Sequence, residues 1–431
     1  MGSNSRPTYS ATRATNGRRA RYGIRPSRGV FWLAMALPLL QACAGIPQGE
    51  WILSGEIAAE MRYFPHQPRF VGQDDNIEFS PSGFIQPEVM YEWNDGDDRI
   101  TLKPYFRWDA DDDNRTHGDL REANWLHVGA DWDLVVGIDR VFWGVTESRH
   151  LVDIINQVDQ VEDIDEEDRL GQPMINLRLQ RDVGTFSVFV LPGFRKRTFP
   201  DASARLRGPF AIDDDDPTYD SSADEKHVDF AGRWGHSFGD WDVGVAHFHG
   251  TSREPRLLPQ AEPGGGVILR PHYDQIDQTS LDVQFTHDAW LLKLEAITRS
   301  GHGDRFAAAV AGFEYTFFQV MQTDADVGLL GEYLYDGRDD APEAPATIFD
   351  DDVFLGARVT WNDPQDTALL LGLVVDVNNQ STMKFVEFER RVGDNWTFEL
   401  EARLFNDVDA NDALDGLRDD DFVTLRFTRH F

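Results

Sequence analysis

FVTLRFTRHF, the stretch from residue 422 to residue 431, ends the chain and decides its fold. Its apolar residues alternate with polar ones, so one face of an extended chain carries Val423, Leu425, Phe427 and Phe431. This period of two is typical of a β-strand with one apolar and one polar face. Because the pattern continues to the last residue, where most soluble domains fray, we expect the final strand to pair with the first.

The same alternation recurs along the chain, in runs of roughly ten residues that suit a tilted strand crossing a bilayer. Clear examples are the runs 51–64, 99–109, 289–299 and 395–405. Their apolar faces carry aromatic residues near the ends, as in the interface girdles of membrane barrels. Their polar faces carry full charges. The sequence therefore predicts an all-β protein, a transmembrane antiparallel β-barrel that is apolar outside and polar inside.

The composition narrows the functional classes. The chain has 431 residues and a formal charge of -34, with a sequence pI of about 4.6. Such an acidic chain repels nucleic acid, so no nucleic-acid partner is expected. The single cysteine excludes a disulfide framework. No motif predicts a cofactor or a metal site.

Connections of two lengths alternate along the chain. Short ones include Gly239-Asp240 and Gly393-Asp394-Asn395, which suit hairpin turns, whereas the long ones are acidic and span 109–119, 197–227, 251–265, 336–352 and 406–421. Short turns on one rim and long loops on the other are the outer-membrane arrangement. The length of the chain predicts about 16 to 18 strands, enough to enclose an aqueous lumen.

The amino terminus has the form of an export signal. Residues 1–44 contain a basic stretch, an apolar core from Gly29 to Leu40 and small residues after it. Two processing routes are open: cleavage at the A-x-A site around Cys43, or lipidation of Cys43 in a lipoprotein box. Either route predicts export and a barrel domain over residues 45–431, in the outer membrane of a bacterium.

One long segment breaks the strand pattern. Within residues 145–168, apolar residues recur at roughly helical spacing. Open backbone cannot face lipid, so this helical segment is expected to fold inward as a constriction or plug. A surface or periplasmic excursion is the alternative.

Two patches carry a family resemblance. WGVTESRHLVDIINQVD, from residue 143, resembles a W-G…D-x-I-N signature of a poorly characterised family of porin-like bacterial outer-membrane barrels. The matching positions are Trp143, Gly144, Asp153, Ile155 and Asn156. The basic stretch 190–209 also resembles a segment of that family. The resemblance implies an envelope protein that serves as a transport channel.

Candidate pore-lining residues lie on the polar faces of the strands and in the inward segment. Mixed charge across a water-filled channel would orient polar solutes, whereas internal salt bridges that merely fill the barrel are the alternative. For Asp153 and Asn156 the alternative is a capping or turn role. The candidates are Arg62, Lys103, Arg107, Arg140, Arg178, Arg299, Glu56, Glu60, Glu295, Glu399, Glu401, Asp153 and Asn156.

These patterns predict a porin-like channel for small polar solutes and no enzyme. A plugged structural or assembly barrel is one alternative. A barrel enzyme on lipid or peptide is another, but its G-x-S-x-G match at residues 235–239 is expected to be a hairpin rather than a nucleophile elbow. The expected partners are outer-membrane lipid and lipopolysaccharide, and the barrel-assembly machinery through Phe431. Both a monomer and a homo-oligomer fit the pattern.

Overall fold

The computed structural model describes residues 48–74, 76–261, 265–339 and 342–431. The predicted signal peptide and Cys43 lie outside these ranges. No helix within them is long and apolar enough to cross a membrane. The helices found there are short 3-10 turns, at Asn94–Gly96, Asp224–Lys226, Val320–Gln322 and Ala413–Leu417.

Eighteen strands form one sheet, in which each strand pairs antiparallel with the next barrel strand in the chain. Three further strands, β8 (Thr218–Tyr219), β11 (Arg256–Ala261) and β12 (Val267–Tyr273), form a small separate sheet. The predicted fold class is confirmed, with a strand number inside the expected range. In chain order the strands are β1 (Gly49–Tyr63), β2 (Phe79–Trp93), β3 (Asp98–Asp109), β4 (Gly118–Val128), β5 (Trp132–Asp139), β6 (Gln172–Arg181), β7 (Gly184–Pro192), β8 (Thr218–Tyr219), β9 (Val228–Phe238), β10 (Trp241–Thr251), β11 (Arg256–Ala261), β12 (Val267–Tyr273), β13 (Gln275–His287), β14 (Trp290–Gly301), β15 (Gly303–Phe317), β16 (Asp326–Asp336), β17 (Asp351–Thr360), β18 (Ala368–Asp376), β19 (Thr382–Val392), β20 (Trp396–Asn406) and β21 (Phe422–His430).

The last strand closes the barrel. β21 pairs antiparallel with β1, with His430 opposite Glu56 and Val423 opposite Tyr63. The N–H of Phe431 donates to the carbonyl of Gly55 at 3.0 Å, and the carbonyl of Phe431 accepts from the N–H of Gly55 at 3.1 Å. The carboxy-terminal residue therefore belongs to the ladder, as the alternation predicts.

The barrel is apolar outside and charged inside. On β1, Ile57 and Met61 are 48% and 39% exposed, whereas Glu60 and Arg62 are 4% and 5% exposed. Apolar side chains are thus exposed and charged ones buried, the reverse of the distribution in a soluble protein. This distribution is the one expected of a barrel whose outer face contacts lipid. Exposed aromatic residues mark the two ends of the strands, as in interface girdles, and include Trp241, Trp290, Phe317, Trp396, Phe79, Trp108 and Tyr335.

The two rims differ as predicted. Turns on one rim are short, and the β9–β10 turn holds Gly239 at a φ of +64°, which suits glycine. The G-x-S-x-G match lies in this hairpin, where the hydroxyl of Ser237 donates to Asp242. The start of β1 and the end of β21 lie on the same rim, beside the short turns. The long connections extend from the opposite rim.

The connection between β5 and β6, residues 140–171, is here called the inward segment. It contains no α-helix among its described residues, so the predicted helix is wrong. One isolated bridge, between Val158 and Arg169, is its only β pairing in the described chain. Its apolar residues are buried on more than one side, so their spacing does not reflect a helix with one buried face.

Candidate functional site in the barrel lumen

The first half of the inward segment docks on β14. Glu295, whose side chain is fully buried, accepts the N–H groups of Val145 at 2.7 Å, Thr146 at 3.1 Å and Val152 at 3.1 Å. The Thr146 hydroxyl also donates to it, at 2.8 Å. A carboxylate that accepts several buried N–H groups makes strong, charge-assisted hydrogen bonds. Glu295 is therefore a fixed anchor for the backbone of the segment.

A second anchor follows on β16. Glu332 accepts the N–H groups of Glu147 and Ser148, each at 2.8 Å. Arg149 then pairs with Asp336 at 3.2 Å, at the end of the same strand. The backbone N–H groups of residues 145–148 and 152 therefore bond to carboxylates of the wall instead of to carbonyls of a helix, and this explains why the apolar spacing did not produce a helix.

The second half of the segment carries the acidic run 162–168 and docks on arginines of the opposite wall. The arginines belong to β1, β3, β4 and β20. Because the acids and arginines are removed from water together, each charge has a partner that offsets its desolvation. The pairs are Asp163 with Arg62 at 2.9 Å, Glu162 with Arg107 at 2.7 Å, Asp159 with Arg121 at 2.6 Å and Asp165 with Arg403 at 3.4 Å.

The inward segment therefore crosses the lumen. One half contacts β14 and β16, and the other contacts β1, β3, β4 and β20. Between them, Val152 and Ile155 are 0% and 1% exposed and belong to the main apolar cluster. The predicted inward position is confirmed, and the central apolar side chains of the segment are buried.

A buried cluster of charged residues centred on Glu60, here called the Glu60 hub, lies beside the docked acids. The fully buried carboxylate of Glu60 on β1 lies 2.7 Å from Arg115, 2.8 Å from Arg426 and 3.3 Å from Arg107. Ser82 donates to it at 3.2 Å. Removing this one carboxylate would leave three arginines without their shared partner.

A third element, residues 193–209, lies over the inward segment; we call it the covering segment. Arg197 pairs with Glu166 at 2.8 Å, and the Thr198 hydroxyl donates to Asp159 at 2.8 Å. Arg205, also buried, pairs with Asp420 of the β20–β21 connection at 2.8 Å. The contact between the covering segment and the inward segment is not among the features predicted from the sequence. The sequence did hold a signal for this contact, because the basic charge of the covering segment is complementary to the acidic run 162–168.

The candidate pore residues divide into two groups. Arg62, Arg107, Arg299, Glu60 and Glu295 are buried at the level of the inward segment or above it, toward the long loops. Lys103, Arg140, Arg178, Glu56 and Glu399 are partly exposed, and each pairs with a neighbouring strand of the barrel wall rather than across the lumen. Those pairs are Lys103 with Glu88 at 3.2 Å, Arg140 with Glu122 at 3.4 Å, Arg178 with Asp133 at 3.8 Å, Glu399 with Arg426 at 3.0 Å and Glu56 with His430 at 3.6 Å, while Glu401 pairs with Arg403 at 2.7 Å and Arg299 with Glu254 at 3.0 Å.

Asp153 and Asn156 fold the segment onto itself. Asp153 accepts the N–H of Trp143 at 2.6 Å. Asn156 accepts the N–H of Val141 at 2.8 Å and donates to the carbonyls of residues 139 and 170, both at 2.9 Å. The side chain of Asn156 thus ties together the two ends of the inward segment. These contacts agree with the alternative role for Asp153 and Asn156, which is to cap or turn the chain. A pore-lining role for either residue stays a prediction.

His117, Asp159 and Glu162 could together offer ligand atoms to a metal. Arg121 and Arg107 already pair with the two carboxylates, at 2.6 Å and 2.7 Å. Guanidinium groups at this distance neutralise the carboxylates and repel a cation. We therefore assign these residues to the ion-pair network that holds the inward segment.

The pKa values of titratable groups in the inward segment are displaced in both directions: those of Glu147 and Asp159 are lowered, that of Asp163 is raised, and three further groups have raised pKa values. Burial alone would lower the pKa of His150, but Glu167 at 2.9 Å and Glu295 at 3.6 Å outweigh burial and raise it well above its usual range. Burial raises the pKa of Asp153 to about 6. Burial, together with the neighbouring charge of Asp163, raises the pKa of Asp165 to about 7. All three groups therefore favour the protonated form when the segment is docked.

We expect docking of the inward segment to weaken as the pH rises from 5 to 8. A released Asp165 ionises near its ordinary pKa of 3.8, so docking loses free energy between about pH 4 and pH 7. His150 contributes stability that is complete below its ordinary pKa of 6.5 and is lost at higher pH. Hydrogen exchange of the segment, corrected for the intrinsic rate, should be faster at pH 8 than at pH 5. Asp165→Asn should reduce the pH dependence of the corrected exchange rate at the lower end of this range. A corrected exchange rate that does not change with pH would contradict the protonation of Asp165 and His150 in the docked segment.

Neither a protein-family model nor a curated protein matches the chain in sequence. The W-G…D-x-I-N signature is therefore not confirmed as a family mark. Solved structures do match. The chain is similar to OccD3 of Pseudomonas aeruginosa, with a TM-score of 0.51 and 9% identity over 90% of this chain and 92% of that one.

Two further structures align at lower scores. One is Wzi of Escherichia coli, an outer-membrane protein involved in group 1 capsule assembly and described as a carbohydrate-binding β-barrel, with a TM-score of 0.49 and 10% identity over 94% of this chain and 89% of that one. The other is a mutant of the Rhodopseudomonas blastica porin, with a TM-score of 0.42 and 11% identity over 89% of this chain and 100% of that one.

The fold rests on three observations: eighteen strands that close on themselves, an exposed apolar outer face and the likeness to OccD3. The exposed apolar face indicates a membrane, and closed barrels of this kind are built for the outer membrane of bacteria. The chain therefore has the porin-like fold of a bacterial outer-membrane β-barrel.

Proposed function

We propose that this protein is an outer-membrane channel for small polar solutes, and that the inward segment sets the width of its path. The observation that carries the proposal is the segment itself, which crosses the lumen and is anchored to both walls by charged groups. An anchored segment inside a barrel narrows the lumen to a fixed opening, and fixed charges beside it favour polar over apolar solutes.

The lumen on the short-turn side supports the same proposal. The ion pairs there have side chains about a quarter exposed, for example Lys103 at 24% and Glu88 at 23%. Positive and negative groups lie side by side on neighbouring strands around this part of the lumen, and fixed charges of both signs orient dipolar and zwitterionic solutes. A solute that enters from this rim would meet mixed charge before it reaches the inward segment.

Swelling of liposomes that contain the refolded barrel tests this function. We expect solutes of amino-acid size to enter, and entry to slow steeply as the solute grows to a disaccharide. Heat-modifiable migration on a gel would confirm that the barrel is folded. A folded barrel that admits none of these solutes would overturn the proposal.

A plugged structural barrel is the second candidate, and burial favours it. The segment residues Val152, Asn156 and Asp159 are 0 to 2% exposed. In addition, the covering segment lies over the inward segment, through Arg197 and Thr198. A folded barrel that is silent in the swelling assay would favour this candidate.

We also propose that the barrel-assembly machinery recognises the carboxy-terminal Phe431, whose ring is 57% exposed on the barrel. Phe431→Ala keeps the backbone ladder to Gly55 but removes the exposed ring. We expect the variant to refold normally in detergent and to assemble poorly in cells. Equal assembly of both proteins in cells would contradict this role.

A further inference from the structure

The outer face of the barrel is apolar along the full length of several strands. On β1 the outward side chains run from Trp51 to Tyr63 without a charge, and on β3 they run from Ile100 to Trp108 in the same way. Each step of two residues adds roughly 5 Å of height on a strand tilted by about 40°. The outward residues of β1 therefore cover the whole apolar band of a membrane barrel, which is about 25 Å tall.

Four neighbouring strands, β10, β13, β14 and β15, interrupt this apolar surface on their long-loop half. On β10 the outward residues Trp241 and Val245 are followed by His247 and His249, whose side chains are 57% and 55% exposed. The adjoining strands are polar at the same rows of the sheet. We call this surface the polar face; it consists of the outward residues of 247–249, 277–279 and 298–300, together with Arg305.

The polar face lies at the depth of the hydrocarbon. Trp241 belongs to the aromatic girdle beside the short turns, and His247 and His249 lie three and four steps above it, at roughly 15 and 20 Å. Asp277 lies opposite His249 in the ladder. Polar groups that face lipid chains cannot bond to water and are costly there. A molecule other than a lipid chain is therefore expected to cover the polar face.

The charged groups of the polar face can each bind a further partner. The Oδ1 atom of Asp277 lies 3.0 Å from Nδ1 of His249 and 3.8 Å from Nε2 of His247, so both contacts use the same oxygen. Its Oδ2 atom can accept from another chain. Arg305 donates to the hydroxyl of Ser300 at 2.9 Å. A guanidinium has five N–H groups, so Arg305 can also donate to an acceptor outside its own chain.

The two charges are arranged so that the polar face is complementary to itself. Ser300 of β14 lies opposite Asp277 of β13 on one side and bonds to Arg305 of β15 on the other. A two-fold axis along the bilayer normal, passing over β14, would place β13 of one copy against β15 of the other. Arg305 of each copy would then face Asp277 of the other copy. The two residues differ in height by roughly 6 Å, since they are two tilted strands apart, and an arginine side chain can span this difference.

The surface beside the proposed axis is flat. Small side chains allow two backbones to approach closely in a membrane. The outward residues below Thr298 and Arg305 are alanines, namely Ala296 on β14 and Ala307, Ala309 and Ala311 on β15. Bulky side chains begin on the next strand, β16, where the ring of Tyr335 lies opposite Ala309 and is 44% exposed. The alanines therefore let the two polar faces come into contact.

We propose that the polar face binds the same face of a second copy of this chain, and that the protein is a dimer in the outer membrane with its two-fold axis over β14. Dimer formation removes the charges from the hydrocarbon and pairs each with an opposite charge. A lipid headgroup is the competing occupant, but an anionic headgroup near Arg305 would be repelled by Asp277. The proposal is independent of whether the lumen conducts.

Cross-linking of the refolded barrel in lipid vesicles tests the contact. Thr298→Cys, made in a chain that also carries Cys43→Ser, places a single thiol beside the proposed axis. A short bismaleimide should join these barrels into dimers in high yield. The control is Leu102→Cys, because Leu102 is 43% exposed on β3, outside the polar face. We expect this control to give only the yield of random collisions, and equal yields from the two variants would contradict the proposal.

An exchange of the two charges makes the result decisive. In the Thr298→Cys chain, Asp277→Arg and Arg305→Asp should each lower the cross-linking yield by about tenfold or more, because like charges would then face each other. The double variant should recover the yield, because the two signs have only changed places. Heat-modifiable migration would confirm that all variants fold. If the double variant cross-links as poorly as the single ones, or if lipopolysaccharide in the vesicles abolishes the cross-link, the proposal is wrong.

Discussion

Glu295→Leu is expected to release the first half of the inward segment and to raise the single-channel conductance. The substitution removes the acceptor of three backbone N–H groups and of one hydroxyl. Hydrogen bonds to a charged group contribute about 1.5–3 kcal/mol each, so docking should lose about 4 kcal/mol or more. This corresponds to roughly a thousandfold shift toward the released state. Conductance in planar bilayers and proteolysis of residues 145–152 would both report it.

The matched control is Glu88→Leu. Glu88 also points into the lumen from a barrel strand, but its ion pair is with Lys103 of the neighbouring strand. We expect this variant to retain protection of the inward segment against proteases. Equal protease sensitivity of the Glu88 and Glu295 variants would show that Glu295 is not the anchor.

Glu60→Gln is expected to destabilise the barrel strongly while leaving its shape unchanged. The substitution keeps the size of the side chain, but it removes the charge shared by Arg107, Arg115 and Arg426. Breaking a buried ion pair from one side costs about 3–5 kcal/mol. Each of the three arginines keeps one other carboxylate, Glu162, Asp109 or Glu399, so we expect a loss near the lower end of that range. Unfolding in urea, followed by the loss of heat-modifiable migration, would measure the change.

Glu399→Gln is the control for Glu60, because both carboxylates pair with Arg426. The Glu399 side chain is 29% exposed, whereas that of Glu60 is fully buried. Ion pairs that reach solvent contribute about 1 kcal/mol or less. If the two variants lose the same stability, burial is not what makes the Glu60 hub important.

The fold was predictable because a barrel strand encodes its own environment. Alternation in β1 and β21 specifies which side chains meet lipid and which face the lumen, and no distant contact is needed to read it. Closure followed from the same pattern, since a terminal strand that is apolar on one face must pair with another strand. The pairing of Phe431 with Gly55 is the direct consequence.

The inward segment was predictable in position but not in conformation. Its apolar residues include Leu151, Val152, Ile154 and Ile155, nearly consecutive along the chain. Consecutive residues of a helix point to different sides, so a helix with this run would have to bury apolar side chains around most of its circumference. In the lumen, two walls and the covering segment surround the chain, so apolar residues are buried in an irregular backbone whose donors bond to Glu295.

The ion pairs of the lumen could not be predicted individually. Asp163 and its partner Arg62 are 101 residues apart in the chain, and only the closed barrel brings them together. The acidic run 162–168 has the composition of a solvated face, yet it docks on arginines. The complementary signal was the row of arginines on the lumenal faces of β1, β3 and β4.

In the proposed channel, the inward segment controls the width of the path through the barrel. Single-channel conductance of the refolded barrel, compared with that of a deletion of residues 146–168, is the measurement to make. We predict a small, steady conductance for the intact barrel and a several-fold larger one for the deletion, since the remaining wall would enclose an open lumen. Equal conductance, with both proteins folded by heat-modifiable migration, would contradict the account.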